Sequence, residues 1–91
     1  MSLQFEWDEE KEKTNIKKHG IDFETASQIF LDPERMEYHD KAHSSADEDR
    51  YVTIGLVGDV LTVVYTDRIK ALRIISARAV TKKEKEVYYG D

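Results

Sequence analysis

The chain contains no cysteine, and its 91 residues include only one proline, four glycines and one tryptophan. Without cysteine there can be no disulfide framework, no thiolate nucleophile and no cysteine-ligated metal. So little proline and glycine, beside 40% hydrophobic residues and nine aromatics, excludes a low-complexity or collagen-like chain and points to a globular one. No apolar run is long enough to span a bilayer, and no signal-peptide pattern opens the chain, so the expectation is a soluble, cytoplasmic protein with no membrane partner. Gly-rich phosphate loops and nucleophile elbows are missing as well. The length suits one domain over residues 1–91 with a modest core.

What is present is charge, unevenly placed. The net charge is −5, yet residues 1–49 hold 6 Lys/Arg against 14 Asp/Glu and residues 50–91 hold 8 against 5. A basic second half keeps polyanion binding open, because recognition depends on local charge within a screening length of roughly 8 Å.

Phe5-Glu6-Trp7 alternates like a short first strand. Asp8 is an N-cap, acidic residues follow it, and Lys17-Lys18-His19-Gly20 closes the segment, which together predict a helix over about 9–19. Its one large apolar residue, Ile16, leaves most of that helix wet or facing a partner. A second helix opens at Asp22, with Phe23, Ala26, Ser27 and Phe30 as its core stripe, and stops at Asp32-Pro33. Residues 35–40 fit a short edge strand carrying Met36 and Tyr38 on one side, and 41–49 form a polar loop. Residues 51–66 predict a β-hairpin about Gly58-Asp59, pairing Val57 with Val60 and setting Val52, Ile54 and Leu56 opposite Tyr65, Val63 and Leu61. Thr81-Lys82-Lys83-Glu84 is a capping box for a last helix, with Val80, Glu84, Val87 and Tyr88 near one face. On that face Tyr88 is expected in the core. The fold class is α+β, with N-terminal helices packed on a mostly antiparallel β-sheet and a C-terminal helix.

Arg73-Ile74-Ile75-Ser76-Ala77-Arg78 reads as a central strand of that sheet. Strict alternation puts Arg73 with Ile75 and Ala77 on one face and Arg78 with Ile74 and Ser76 on the other, unless a bulge intervenes. A guanidinium placed mid-sheet has two explanations, an ion pair with a nearby carboxylate or a seat for phosphate.

Phe5-x-Trp7-Asp8, Asn15 with Lys18-His19-Gly20-Ile21-x-Phe23-x-x-Ala26, Phe30-x-Asp32, His43-Ser44, Glu48-x-Arg50-Tyr51, Gly55, Thr66-x-Arg68 and the Arg73–Arg78 segment together resemble the BrnT toxin family, also called DUF497. The resemblance runs over nearly the whole chain in order. It implies a RelE-like fold and a type II toxin that cleaves RNA without metal or cofactor and inhibits translation. It also implies neutralisation by a BrnA-like ribbon-helix-helix antitoxin, which alone touches operator DNA. Toxins acting on RNA are commonly basic, and this chain is acidic. The alternative is therefore a catalytically degenerate member that serves as an antitoxin-binding module or corepressor.

Metal-free RNA cleavage needs a base for the 2′-hydroxyl, a donor for the leaving oxygen and positive charge on the transition state. Arg73, then Arg50, then Arg78 are the arginine candidates for catalysis, with Arg68 and Lys70 expected to bind RNA. Lys18 and His19 are explained by helix capping alone, and the resemblance brings them forward as catalytic candidates, with Asn15 on their helix face. Glu48 could act as a base or pair with Arg50, and the pair is the expectation. His43 sits in a polar loop from which it could swing over a substrate, and the expectation is that it is solvated only. His39, Asp40, His43 and Asp47 lack a spacing that would hold a metal. Trp7 and Ile16 are candidates for burial by the antitoxin.

Overall fold

The computed structural model describes residues 3–90. In chain order the elements are β1 (Phe5–Glu6), α1 (Glu9–His19), α2 (Phe23–Ser27) continued by a 3-10 turn (Gln28–Leu31), β2 (Met36–His39), a 3-10 turn (Lys41–His43), β3 (Arg50–Val57), β4 (Asp59–Asp67), β5 (Leu72–Ala79) and α3 (Lys82–Tyr89).

Local chemistry explains the helix limits. Asp8 accepts the Lys11 amide at 3.0 Å, and Gly20 ends α1 at φ 73°, in the left-handed region that favours glycine. Asp22 caps α2 through the Thr25 amide at 2.7 Å, while Glu12 reaches over from α1 to accept the Phe23 amide at 2.9 Å. The α2 start is therefore held both by its own cap and by its neighbour. Tightening to a 3-10 turn at Gln28 moves the buried stripe, so that Ile29 joins Phe23, Ala26 and Phe30 in the core, whereas Ser27 stays half-exposed. Thr81 and Glu84 form the reciprocal capping box of α3. On that helix Val87 remains exposed, and the Tyr88 hydroxyl donates to Asp32 instead of entering the core.

The sheet runs β1-β5-β4-β3-β2, antiparallel except for the parallel β1–β5 pair. The middle strand is β4. The Arg73 strand, β5, lies one place from the edge, bordered by β1 only at Leu72 and Arg73. Two further details differ from the sequence expectation. Gly58, at φ 70°, turns the hairpin by itself, pairing Val57 with Asp59 and Leu56 with Val60. That one-residue shift exchanges faces: Tyr51, Thr53 and Gly55 lie opposite Tyr65, Val63 and Leu61, and Val52 and Ile54 lie opposite Val64 and Thr62.

The second detail is a bulge in β5. Tyr65 pairs with Ile74 and Val64 with Ser76, leaving Ile75 as the extra residue. Ile74 and Ala77 consequently share the core face, and Arg73, Ser76 and Arg78 share the other.

The core lies between α2 with its 3-10 extension and one sheet face, and α1 flanks it along β5. Phe23, Ala26 and Ile29 are fully buried against Val63, Ile74 and Ala77. The Phe30 ring centroid is 5.1 Å from those of Phe5 and Tyr65, and Trp7 meets Phe23 edge-on at 6.0 Å, so Trp7 packs on the core. Gly55 permits this packing, because a Cβ there would come within 2.9 Å of Ile29 Cβ and 3.1 Å of its carbonyl oxygen. Asn15 covers the part of the β5 edge that β1 leaves open. Its Nδ2 donates to Ala77 O at 2.9 Å and to Ile21 O at 3.0 Å, and its Oδ1 accepts from Ala77 N at 3.1 Å, as a neighbouring strand would.

Candidate active site on the open face of the sheet

The second sheet face is covered only in part, by α3, and carries two adjoining concavities. One, of about 360 Å³, is lined by Tyr38, Asp40, His43, Arg50, Arg78 and the strand residues between them. The other, of about 450 Å³, extends to α1 and takes in Lys11, Thr14, Lys18 and His19. Arg50, Ile75 and Ser76 belong to both, so the two form one groove with Arg50 at its middle. The β5 bulge makes this geometry, because it turns Ser76 and Arg78 to the same face as Arg50 and puts the extra residue, Ile75, on the groove floor.

The five arginines differ in what holds them. Arg73 Nε donates to Glu6 at 2.9 Å, Arg68 pairs with Glu48 at 2.9 Å and Arg35 with Glu37 at 2.8 Å. Arg78 forms a two-pronged pair with Glu84, at 2.7 and 3.0 Å. That contact, with the Thr81 amide and the Thr62 hydroxyl, holds the Glu84 carboxyl far below its usual range, at about 2. The same pairing raises the Arg78 pKa. Arg50 alone has no carboxylate partner among the described residues. Glu48, expected beside it, turns to Arg68, because Arg50 points over the sheet face while Arg68 sits on the exposed turn.

Of the sequence candidates, Arg50, Arg78, Lys18 and His19 come together around the groove. Arg73 stands on the same sheet face but is tied to Glu6 and lines neither concavity. Arg68 and Lys70 lie on the exposed β4–β5 turn, at the sheet end where Arg50 begins β3. Asn15 is buried and fully engaged with backbone, which gives it a structural role.

Sequence reasoning set His43 aside as a solvated loop residue and weighed Asp40 only within a metal cluster that it rejected. The 3-10 turn after β2 wraps His43 back onto Asp40, whose carboxylate meets the His43 amide at 3.3 Å and Nδ1 at 2.9 Å. The available signal was Asp40 three residues before His43, the spacing of a capped turn. His39 is occupied elsewhere, with Asp49 at 3.0 Å and Ser44 at 3.2 Å. Among the described residues no group of three potential ligands converges on a metal position.

The fold is thus that of a small α+β protein in which a mixed five-stranded sheet buries one face and offers a groove of basic and polar side chains on the other. Residues 7–84 match the family described as "Ribonuclease toxin, BrnT, of type II toxin-antitoxin system", and the chain belongs to that family. Among solved structures it is similar to the Brucella abortus ribonuclease toxin BrnT, at 29% identity and a TM-score of 0.68, over 89% of this chain and 100% of that one. No curated protein sequence matches it.

Proposed function

We propose that this chain is a metal-independent endoribonuclease that inhibits translation and is neutralised by a BrnA-like ribbon-helix-helix antitoxin. The observation that carries the reading is Arg50, the one arginine without a carboxylate partner among the described residues, set in the middle of the groove. An unpaired guanidinium above a partly apolar floor suits a phosphodiester, because its planar fork can hold two non-bridging oxygens as charge develops on them. Lys18 and His19 line the α1 side of the groove, and on this reading one of them gives a proton to the leaving oxygen. Arg78, already spent on Glu84, shapes the far end of the groove and adds less positive charge to it.

Cleavage of a defined RNA in the presence of chelator tests this, with Arg50→Ala and Arg73→Ala compared side by side and each checked for folding. Chelator-resistant cutting that falls at least about 100-fold in Arg50→Ala is the expected result. Arg73→Ala, which breaks only the Glu6 pair, should retain most activity. A wild-type protein inert on free RNA and on translating ribosomes defeats the enzyme reading. The net charge of −5 favours a second reading in that event, an antitoxin-binding module that reaches DNA only through its partner.

A further inference from the structure

We propose that His43 is the base that takes the 2′-hydroxyl proton, with Asp40 as its positioning residue; the assignment rests on the ribonuclease reading. Three observations place it there. First, an ionised carboxylate only accepts, so the 2.9 Å contact between Asp40 and His43 Nδ1 calls for a proton on Nδ1, and in the neutral imidazole the lone pair then lies on Nε2. Second, Asp40 is four-fifths buried at the end of β2, while the His43 side chain is 70% exposed and lines the concavity that holds Arg50. The carboxylate is thus anchored and the imidazole open to substrate.

Third, the turn carrying His43 is attached to Arg50 through backbone. Asp40 N donates to Arg50 O at 2.8 Å, and Arg50 N donates to Ser44 Oγ at 2.9 Å, which itself donates to Asp40 O at 2.7 Å. Residues on both sides of His43 therefore grip both polar backbone groups of Arg50. A phosphate held by Arg50 keeps its distance from the imidazole for as long as this knot is intact. No other histidine is so placed: His39 has its Nε2 committed to Asp49 and Ser44, and His19 faces the groove from α1 on the opposite side.

In the step itself, the 2′-oxygen forms a bond to phosphorus as its proton passes to His43 Nε2. The bond from phosphorus to the 5′-oxygen breaks, and that oxygen leaves with the electron pair and takes a proton from His19 or Lys18. The products are a 2′,3′-cyclic phosphate and a 5′-hydroxyl. The groups facing His43 are Asp40 and Tyr38 from β2 and its turn, Arg50 from β3 and Arg78 from β5, the last neutralised by Glu84 of α3; Glu10, Lys11, Lys18 and His19 line the α1 side.

The test is cleavage of a defined RNA across pH by wild type, His43→Ala and Asp40→Asn, each checked for folding, with and without added imidazole. His43→Ala is expected to lose about 100-fold or more and to be restored in part by imidazole. Asp40→Asn, which removes the negative charge beside Nδ1 and lets an amide N–H face the ring in its place, is expected to lose about tenfold or more in turnover with little change in KM. The rise of rate with pH that marks an imidazole base should disappear in His43→Ala. A folded His43→Ala that cuts within about threefold of wild type, or that keeps the wild-type pH profile, overturns this assignment and leaves the ribonuclease reading standing. A wild type inert on both free RNA and translating ribosomes overturns the two together.

Discussion

The two faces of the sheet are built from alternate residues of the same strands, yet they have little else in common. The inner face, from Leu61, Val63, Tyr65, Ile74 and Ala77, is closed by α2 and its 3-10 extension and linked by an aromatic series from Phe5 through Phe30 and Tyr65 to Tyr51, whose ring lies 5.5 Å from Tyr65. The outer face carries Thr62, Thr66, Ser76 and three arginines beside a smaller apolar patch of Val52, Ile54, Val60 and Val64, under one short helix. Most of the apolar burial therefore lies on one side of the layer and the proposed chemistry on the other. Residues of the groove can be polar and unpaired because the other face supplies the burial that keeps the sheet folded.

The comparison is tested most severely from the inner side. Phe23→Ala empties a fully buried site and should cost about 3–5 kcal/mol, which in a domain of this size approaches the whole stability. Urea denaturation measures it, and a loss below about 1 kcal/mol would contradict the division of labour. Arg50→Ala on the outer face should shift the same transition by no more than about 0.5 kcal/mol while removing activity.

Asn15→Ala comes next. It leaves the Ala77 amide and carbonyl without partners on a buried edge, a loss of about 2–3 kcal/mol, and Asn15→Asp should restore little because a carboxylate cannot donate to the Ala77 and Ile21 carbonyls. Hydrogen exchange at the Ala77 amide reports the lesion locally.

A smaller effect concerns the attachment of α3. Glu84 has its pKa lowered from 4.5 to about 2 by Arg78, so the pair contributes stability above about pH 4.5 and loses it as the pH falls toward 2. Asp22 and Asp32 are lowered in the same direction by their hydrogen bonds, to Thr25 and Tyr88 respectively. Because Arg78 is about a third exposed and solvent screens the pair, Glu84→Gln should cost about 1 kcal/mol at pH 7. Thermal melts of both proteins at pH 7 and pH 2.5 should show that difference narrowing in acid.

The smallest change expected is a gain. Thr53 and Thr62 are buried with their hydroxyls bonded, to Met36 O and Glu84, but buried Thr66, between Arg50 and Arg73 in the register, has no hydrogen-bond partner among the described residues. Thr66→Val should therefore be neutral or stabilising by up to about 1 kcal/mol, whereas Thr53→Val should destabilise. Denaturant midpoints of the two variants separate these outcomes.

The sequence by itself determined the elements whose causes are local. Asp8, Gly20, Asp22 and the Thr81–Glu84 box bound their helices through contacts within a few residues, so their spacing could be read directly. The alternation of 51–66 likewise gave a hairpin, and the ordered run of motifs gave the family. The hairpin register and the order of strands depended on more distant matters. Gly58 chose a tighter turn than the pattern required, and the bulge at Ile75 moved Arg73 and Arg78 onto one face, which strict alternation could not foresee. Only the tertiary structure decided which arginine remained unpaired, because the carboxylates that claim the others lie 2 to 67 residues away in sequence, Glu37 for Arg35 and Glu6 for Arg73 at the extremes. Ion pairing is settled by proximity in space, and it was proximity that left Arg50 open and brought the locally folded Asp40–His43 turn beside it.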